Sequence, residues 1–191
     1  MKRIQLPVTE KEIRRLKIGE EILLNGVMVT ARDQAHKYMI SKKPKDLLPL
    51  LKNTIIYHCG PIVKKEKSGW KILGAGPTTS IRDEPYEAEV IEHYSVRGVI
   101  GKGGMGLKTL NALKKCGAVY LHATGGASAE IARSIIEVID VKMLEFGTPE
   151  AMWVIRVEDF PCLVTMDSHG GSLHETVAAD SRKIVEKLIK R

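Results

Sequence analysis

Residues 98–113 read GVIGKGGMGLKTLNAL, in which a short apolar run, a glycine-rich turn and an amphipathic segment follow one another directly. The apolar run indicates a buried strand, and the leucines of the second half, spaced three residues apart, share one face of a helix. The free backbone N–H groups of the turn Gly101–Gly104 and the side chain of Lys102 would face an anion placed at the helix start. The stretch therefore predicts a sheet with helices packed on it.

Strand and helix alternate on both sides of this stretch, most regularly between residues 70 and 140. Apolar runs bounded by turn residues predict strands at 21–31, 54–59, 70–75, 98–100, 118–123, 151–157 and 162–166. Helical patterns begin at Pro85 and Leu107 and cover residues 128–139 and 175–189. The N-terminal third is strand-rich with proline breaks. We therefore predict an α/β fold, a mixed sandwich formed as a single domain over residues 1–191.

The composition, with 43% hydrophobic and 28% charged side chains in 191 residues, is that of an ordinary globular protein. The net charge of +7 permits nucleic acid, an acidic protein or an anionic metabolite as a partner, but does not choose among them. No run approaches the roughly 20 apolar residues that cross a bilayer, and we expect a cytoplasmic protein. The three cysteines include no CxxC pair, and no metal ligands are predicted in this chain.

Cations stand at backbone turns in stretches that suit a small anion. These stretches are TARDQAH (30–36), GPTTSIR (76–82) and GKGG (101–104). Arginine presents a planar fork of donors that matches a carboxylate in two places, and lysine acts as a compact point charge, so together they could hold a dicarboxylic acid at both ends. Two alternatives stay open: Arg32 and Asp33 could form a surface ion pair, and His36 could be a hydrogen-bonded helix histidine.

The loop around Thr78 combines small residues with a run of hydroxyl groups. Glycines on its N-terminal side, including Gly76, would let the backbone approach a ligand closely. Thr79 or Ser80 could instead be an ordinary N-cap of the helix that follows, but one cap uses only one of the hydroxyls. We favour a binding loop, in which Thr78 is a candidate for proton transfer or for holding a hydroxyl group.

The turn Gly101–Gly104 has two further interpretations. It lacks the Walker pattern and could be a bare strand-to-helix turn whose glycines serve backbone conformation and packing. It also resembles the GxxG loop of KH domains, which would make the chain an RNA-binding module. A KH module would leave the arginine and threonine motifs without a role.

Taken in order, several motifs resemble the beta subunit of class I fumarate hydratase, and the related L-tartrate dehydratase beta subunit is similar. The motifs are ARDQAH (31–36), HCGP (58–61), GPTTSIR (76–82), GKGG (101–104), HATGG (122–126) and PEAMW (149–153). The resemblance implies a swivelling β/β/α domain, here as a separate subunit. A companion alpha subunit would carry a [4Fe–4S] cluster on its own three cysteines, with one iron open to substrate.

The resemblance also implies roles for single residues in the reversible hydration of fumarate to L-malate, or in dehydration of L-tartrate. Arg32, Arg82 and Lys102 would bind the substrate carboxylates, and Thr78 would act at the reacting carbon, with basicity supplied by the partner subunit. Supporting positions would be Asp33, His36, Gly76, Thr79, Gly101 and Gly103. The chain would be inactive alone, would assemble as a homodimer or an alpha-beta hetero-oligomer, and would bind neither membranes nor nucleic acid.

One departure from the family pattern lies next to a proposed substrate-binding residue. The family often reads Arg-Met-Asp where this chain has Arg82-Asp83-Glu84. The change places an acid directly after Arg82, where it bears on substrate preference.

Overall fold

The computed structural model describes residues 1–67 and 69–189. The strands of these residues are β1 (Lys2–Gln5), β2 (Glu21–Thr30), β3 (Ile55–Tyr57), β4 (Ile62–Glu66), β5 (Gly69–Gly74), β6 (Gly98–Gly101), β7 (Val119–His122), β8 (Ile135–Lys142) and β9 (Met152–Met166). The α-helices are α1 (Glu10–Ile13), α2 (Asp33–Lys42), α3 (Leu48–Leu51), α4 (Glu84–Tyr94), α5 (Leu107–Cys116), α6 (Ser128–Arg133) and α7 (Leu173–Ile189).

Strands β2, β3, β6, β7 and β9 form a closed, barrel-like sheet. Neighbours from β2 through β7 are parallel, whereas β9 is antiparallel to both β7 and β2 and so closes the ring. Closure is possible because β2 and β9 are long enough to pair with different strands along their length. The start of β2 pairs with β1 and its end with β3, while β8 pairs with β9. Strands β4 and β5 form a separate hairpin.

The central strands are buried on both faces, and alternate side chains belong to different parts of the core. Ile55 and Tyr57 of β3 pack in one apolar cluster together with side chains of β2 and β9. Ile56, between them, packs in a second cluster against helices α2, α4 and α5. This alternation follows from the two-residue period of a strand. It also explains why these strands read as continuous apolar runs.

The helix predicted over residues 128–139 is wrong in its second half. Helix α6 ends at Arg133, and β8 begins at Ile135 and pairs antiparallel with β9. Its register shifts between Ile135 and Glu137 and again between Val138 and Asp140. Each irregularity adds a residue, so the side chains packed against the core recur every third position instead of every second. Two bulges thus gave a strand the apolar spacing of a helix.

The mixed α/β fold with packed helices is confirmed. The strands predicted at 151–157 and 162–166 are parts of the single strand β9, and the N-terminal third contains α1, α2 and α3 besides its strands. The prediction of a sandwich omitted the closure of the sheet, which depends on pairing between β2 and β9. Among the residues described, no helix has the length and apolar character needed to cross a bilayer.

Candidate functional site

The carboxyl ends of the parallel strands meet at one edge of the barrel, which we call the carboxyl edge. His58 and Lys102 follow directly after β3 and β6, and Arg32 comes two residues after β2. Backbone hydrogen bonds continue the pairing into this region, since the His58 N–H donates to the carbonyl of Ile100 over 2.8 Å. Parallel strands therefore bring Arg32, His58 and Lys102 to the same edge.

The loop that carries Thr78 crosses the carboxyl edge between β3 and β6. The Thr78 N–H donates to the His58 carbonyl over 2.7 Å, and the Lys102 N–H donates to the Thr78 carbonyl over 3.2 Å. The Ser80 N–H donates in turn to the Lys102 carbonyl over 3.1 Å. These bonds hold Thr78 and Lys102 side by side, although Thr78 follows a strand of the separate hairpin.

The hydroxyl groups of this loop do not cap the next helix. Thr79 and Asp83 occupy the two N-cap positions, and neither side chain makes a capping hydrogen bond. The half-buried Thr78 donates its hydroxyl proton to the His58 carbonyl over 3.0 Å, which leaves the oxygen lone pairs available as acceptors. Thr79 is exposed beside Lys102. The N-cap alternative is therefore wrong for Thr79, and the Ser80 hydroxyl contacts His58 and Tyr120 instead of capping a helix.

The Arg32 side chain packs against Gly60 of the HCGP motif. A Cβ at Gly60 would approach the Arg32 Nη1 atom to 2.8 Å and the Pro149 carbonyl oxygen to 2.7 Å. The guanidinium group, only 20% exposed, lies 3.3 Å from a carboxylate oxygen of Glu150. Glycine in the HCGP motif thus makes room for Arg32, and the PEAMW motif supplies its acidic neighbour. Glu150 was not predicted as a site residue from the sequence, although it stands in the PEAMW motif.

Arg82 approaches the same region from the turn before α4. Its Nη2 atom lies 2.7 Å from a carboxylate oxygen of Asp33, the residue after Arg32. Both side chains are exposed, Arg82 by 59% and Asp33 by 37%. The alternative of a surface ion pair between Arg32 and Asp33 is therefore wrong, since Asp33 pairs with Arg82 and Arg32 lies beside Glu150.

The glycines of the Gly101–Gly104 turn serve packing and conformation. A Cβ at Gly101 would overlap the Ser80 hydroxyl, and Gly103 has a φ of +82°, which favours glycine. Lys102 is half-buried and passes Gly125 of the HATGG motif, whose Cβ would lie 3.6 Å from Lys102 Cδ. Gly76 approaches Ser128 instead, where a Cβ would lie 3.2 Å from the serine Cβ.

Beneath the loops lies a cluster of fully buried ionisable side chains. Glu87 Oε2 lies 2.8 Å from His58 Nε2 and 3.0 Å from His36 Nε2. Asp83 is also buried, with its carboxylate oxygens 3.6 to 3.7 Å from the Nδ1 atoms of the two histidines. The acid that departs from the family pattern therefore points into the interior, away from the surface beside Arg82.

The cluster shifts the ionisation of its members in opposite directions. Burial alone would lower the pKa of His36, but the Glu87 carboxylate raises it to about 9. Burial alone would raise the pKa of Glu87, but His36 and His58 lower it to about 2. Burial raises the pKa of Asp83. At neutral pH the pair formed by His36 and Glu87 is therefore ionic.

The spacing of these side chains is also one that a metal ion could use. Ligand atoms of His36, His58 and Glu87 all lie within 4.8 Å of one another. His58 Nε2 is hydrogen-bonded to Glu87 Oε2, whereas His36 Nε2 lies 3.0 Å from the same oxygen without hydrogen-bond geometry. The prediction that this chain supplies no metal ligands stays a prediction.

Glu87, the position of His58 and the buried orientation of Asp83 were not predicted from the sequence. A signal was present, because Glu87 lies three and seven residues before Val90 and Tyr94, which share the buried face of α4. A carboxylate on an otherwise apolar helix face indicates a buried acid with a partner. The sequence of α4 does not show which residues that partner would be, because His36 and His58 lie in other parts of the chain.

The cysteines do not form an iron-sulfur site. Cys59 and Cys162 are buried in the core, where burial raises the pKa of Cys59 to about 12 and also raises that of Cys162. Cys116 ends α5, beside Arg97 at the amino end of β6. Buried thiols resist the ionisation that ligation requires, and the third lies at the opposite end of the barrel from Cys59. These residues do not fit a cluster held by this chain.

Comparison with known proteins agrees with the motif pattern. The profile of the family described as "Fumarase C-terminus" matches residues 1–177. A putative class I fumarate hydratase of Geobacillus stearothermophilus is 51% identical over 187 residues, which are 97% of this chain and 35% of that protein. A putative L(+)-tartrate dehydratase subunit beta of Methanocaldococcus jannaschii is 43% identical over 185 residues, 95% of this chain and 93% of that protein.

The L(+)-tartrate dehydratase subunit beta of Escherichia coli (strain K12) is 38% identical over 171 residues, 87% of this chain and 83% of that protein. The chain thus spans about a third of the fumarate hydratase and most of each dehydratase subunit. The resemblance inferred from the motifs is confirmed: this chain belongs to the Fumarase C-terminus family, whose relatives include class I fumarate hydratase and L-tartrate dehydratase beta subunits.

Proposed function

We propose that this chain is the beta subunit of an iron-sulfur hydro-lyase that adds water to fumarate to give L-malate. The observation that carries the proposal is the meeting of Arg32, Thr78, Arg82 and Lys102 at the carboxyl edge, in a chain whose relatives are named as hydro-lyases. The hydroxyl and cationic groups come from loops far apart in sequence. Binding of one small anion by all of these groups would explain why they lie together.

The charges suit a dicarboxylate. Arg32 and Arg82 each lie beside an acidic side chain, Glu150 and Asp33. An exposed ion pair such as that of Arg82 contributes only about 0–1 kcal/mol, so a substrate carboxylate can take the place of Asp33 at little cost. Lys102 makes no ion pair among residues 1–67 and 69–189 and would add a third positive charge.

Thr78 would act on the proton that is added to or removed from carbon. Because its own proton is held by the His58 carbonyl, its oxygen is oriented as an acceptor. An unassisted threonine hydroxyl is far too weak a base at neutral pH, so a group of the partner subunit has to supply the basicity. Arg32, Arg82 and Lys102 would stabilise the negative charge that builds up beside the carboxylate during proton transfer.

The iron-sulfur cluster would belong to a companion alpha subunit, since the cysteines of this chain do not fit one. When bound there, it would supply Lewis-acid chemistry at the substrate oxygens. The carboxyl edge would face that subunit, and the single domain formed by this chain would swivel to bring its cations to the substrate. The chain alone would be inactive.

Dehydration of L-tartrate is a second candidate. It is favoured by the relatives that this chain matches over most of their length, both named as tartrate dehydratase beta subunits. Tartrate and malate carry the same pair of carboxylates, so the same arginines would bind either one.

The test is anaerobic co-purification of this chain with a cluster-bearing partner from its source. The expected result is a brown complex that hydrates fumarate, measured as the loss of the ultraviolet absorbance of the fumarate double bond. The separated chain is expected to be inactive. Faster turnover of L-tartrate would select the second candidate. A complex that turns over neither compound, with its cluster intact, would contradict the proposed function.

A further inference from the structure

A continuous line of buried polar contacts runs beneath the carboxyl edge. It contains the contacts His36 Nδ1 to Arg32 O (2.9 Å), His36 Nε2 to Glu87 Oε2 (3.0 Å), His58 Nε2 to Glu87 Oε2 (2.8 Å), His58 Nδ1 to Ser80 Oγ (2.9 Å) and Tyr120 Oη to Ser80 Oγ (2.9 Å). Every side chain in it is buried. The line is therefore closed to bulk water.

The hydrogen atoms of this line can be assigned from donor and acceptor chemistry. A carbonyl only accepts, so His36 donates from Nδ1 to the Arg32 carbonyl. An ionised carboxylate also only accepts, so both histidines face Glu87 with Nε2–H. Tyr120 donates to Ser80, whose oxygen can accept a second bond from His58 Nδ1 or whose own proton can be donated to that nitrogen. The assignment leaves His36 with a proton on each ring nitrogen.

Each part of the line touches a loop that carries a proposed substrate-binding or proton-transfer residue. His36 holds the backbone of Arg32. The backbone carbonyl of His58 holds both the N–H and the hydroxyl of Thr78. Ser80 packs against Gly101, directly before Lys102. Glu87 lies at the centre, because it is the anion shared by the two histidines.

Burial makes these contacts hard to replace. A buried donor or acceptor that loses its partner cannot bond to water instead, so the surrounding loops must move to satisfy it. Loss of the Glu87 charge would remove the nearer of the two carboxylates that face His36 and His58, since the Asp83 oxygens lie 3.6 to 3.7 Å from these rings. The loops of Arg32 and Thr78 would then lose the side-chain contacts that fix one relative to the other, and the backbone bond from the Ala31 N–H to the Tyr57 carbonyl would remain.

We propose that Glu87 is a positioning residue, which sets the distance between Arg32 and Thr78 by holding His36 and His58 together. The proposal rests on the proposed function for its catalytic consequence, but its structural part concerns this chain alone. Glu87 contacts no substrate in this scheme. It acts through the two histidines, so that Arg32 and Thr78 stand ready before substrate binds.

The structural part is tested on the isolated chain by amide hydrogen exchange with Glu87→Gln, which keeps the shape and removes the charge. Exchange at the amides of Thr78 and His36 is expected to rise about 10-fold or more beyond any rise at Ile155 in β9, a core amide that follows global unfolding. Glu89→Gln is the matched control, because Glu89 lies on the same helix and is exposed. Equal acceleration at all these amides would mean general destabilisation and would overturn the proposal.

The catalytic part is tested on the reconstituted complex. Glu87→Gln is expected to lower kcat about 10- to 100-fold with the iron-sulfur spectrum unchanged, and Glu89→Gln to match the wild type. An active wild-type complex with an equally active Glu87→Gln variant would overturn the positioning role. An inactive wild-type complex would overturn the proposed function, while the exchange measurement would still decide the structural part.

Two further measurements apply if Glu87→Gln does not fold or if the cluster binds a metal ion. If Glu87→Gln does not fold, Tyr120→Phe removes one hydroxyl from the end of the line, and faster exchange confined to the amides of Ser80 and Thr78 is the expected result. Metal analysis of the purified chain is expected to find no stoichiometric ion. One bound metal per chain, lost in Glu87→Gln, would overturn the proposal in favour of a metal site.

Discussion

Arg82 and Asp33 form an ion pair of 2.7 Å that joins the turn before α4 to the start of α2. Asp33 directly follows Arg32, so the pair places the two arginines on adjacent loops. Both partners are exposed, and the pair contributes little to stability. The main effect of this contact is therefore to hold the Arg82 side chain close to the loop of Arg32.

Arg82→Ala should impair substrate binding without unfolding the protein. In the reconstituted complex it should lower kcat/KM about 30- to 1,000-fold, because a carboxylate contact worth roughly 2–4 kcal/mol is lost. The free energy of unfolding should change by about 1 kcal/mol or less. The matched control is Arg133→Ala, since Arg133 also forms an exposed 2.7 Å pair, with Glu130. Unchanged kcat/KM would remove Arg82 from the site.

Thr78→Val keeps the shape of the side chain and removes the hydroxyl. The hydroxyl donates to the His58 carbonyl, a bond worth about 1 kcal/mol, so the protein should stay folded. If Thr78 serves proton transfer, kcat should fall about 100-fold or more. Thr78→Ser retains the hydroxyl and should recover most of the rate. A Val variant with the wild-type kcat would show that the hydroxyl is dispensable.

Gly60→Ala tests the fit of Arg32. The added Cβ would lie 2.8 Å from Arg32 Nη1 and 2.7 Å from the Pro149 carbonyl, and the guanidinium group has to move. We expect KM to rise about 10-fold, because the displaced Arg32 would no longer make a well-placed contact with the substrate carboxylate. Gly74→Ala is the control, because its Cβ would make an ordinary contact of 3.4 Å with Ile62. Equal kinetics for the two variants would contradict this fit.

The pH dependence of unfolding tests the ionic pair of His36 and Glu87. The folded pKa of His36, raised to about 9 from 6.5, contributes stability that is complete below pH 6.5 and lost as pH rises through 9. Glu87, lowered to about 2 from 4.5, contributes stability above pH 4.5 that is lost as pH falls through 2. Wild-type stability should therefore be greatest near pH 5–6.

Urea unfolding of the isolated chain between pH 6 and pH 9 measures this effect. The stability difference between the wild type and Glu87→Gln should shrink across that range, since the variant lacks the charge that raises the pKa of His36. Glu89→Gln, exposed on the same helix, should follow the wild type. Parallel curves for the wild type and Glu87→Gln would contradict an ionised pair.

The interpretation as an RNA-binding module finds no support in the turn Gly101–Gly104. Gly101 is closed against Ser80, and a Cβ at Gly104 would lie 2.6 Å from His174. The glycines are used for packing inside the protein. The match of the family profile to residues 1–177 accounts for the same motif.

Much of the candidate site could be proposed from the sequence because cations and hydroxyls at turns are local signals. Arg32, Thr78, Arg82 and Lys102 each stand beside a strand end or a glycine-containing turn. Their acidic neighbours could not be assigned in the same way. Glu150 meets Arg32 only because β9 begins beside the end of β2, and Glu87 meets its histidines only when α2 and α4 pack on the same face of the sheet.

By itself the sequence determined the alternation of strands and helices and, through ordered motifs, the family. Side-chain periodicity and turn chemistry depend on neighbours only a few residues away, so both can be read along the chain. Tertiary structure alone decided that β2 and β9 close the sheet, that residues 135–142 pair with β9 as a strand, and that Asp83 points inward. These outcomes depend on contacts between distant segments, where burial and pairing override local preference.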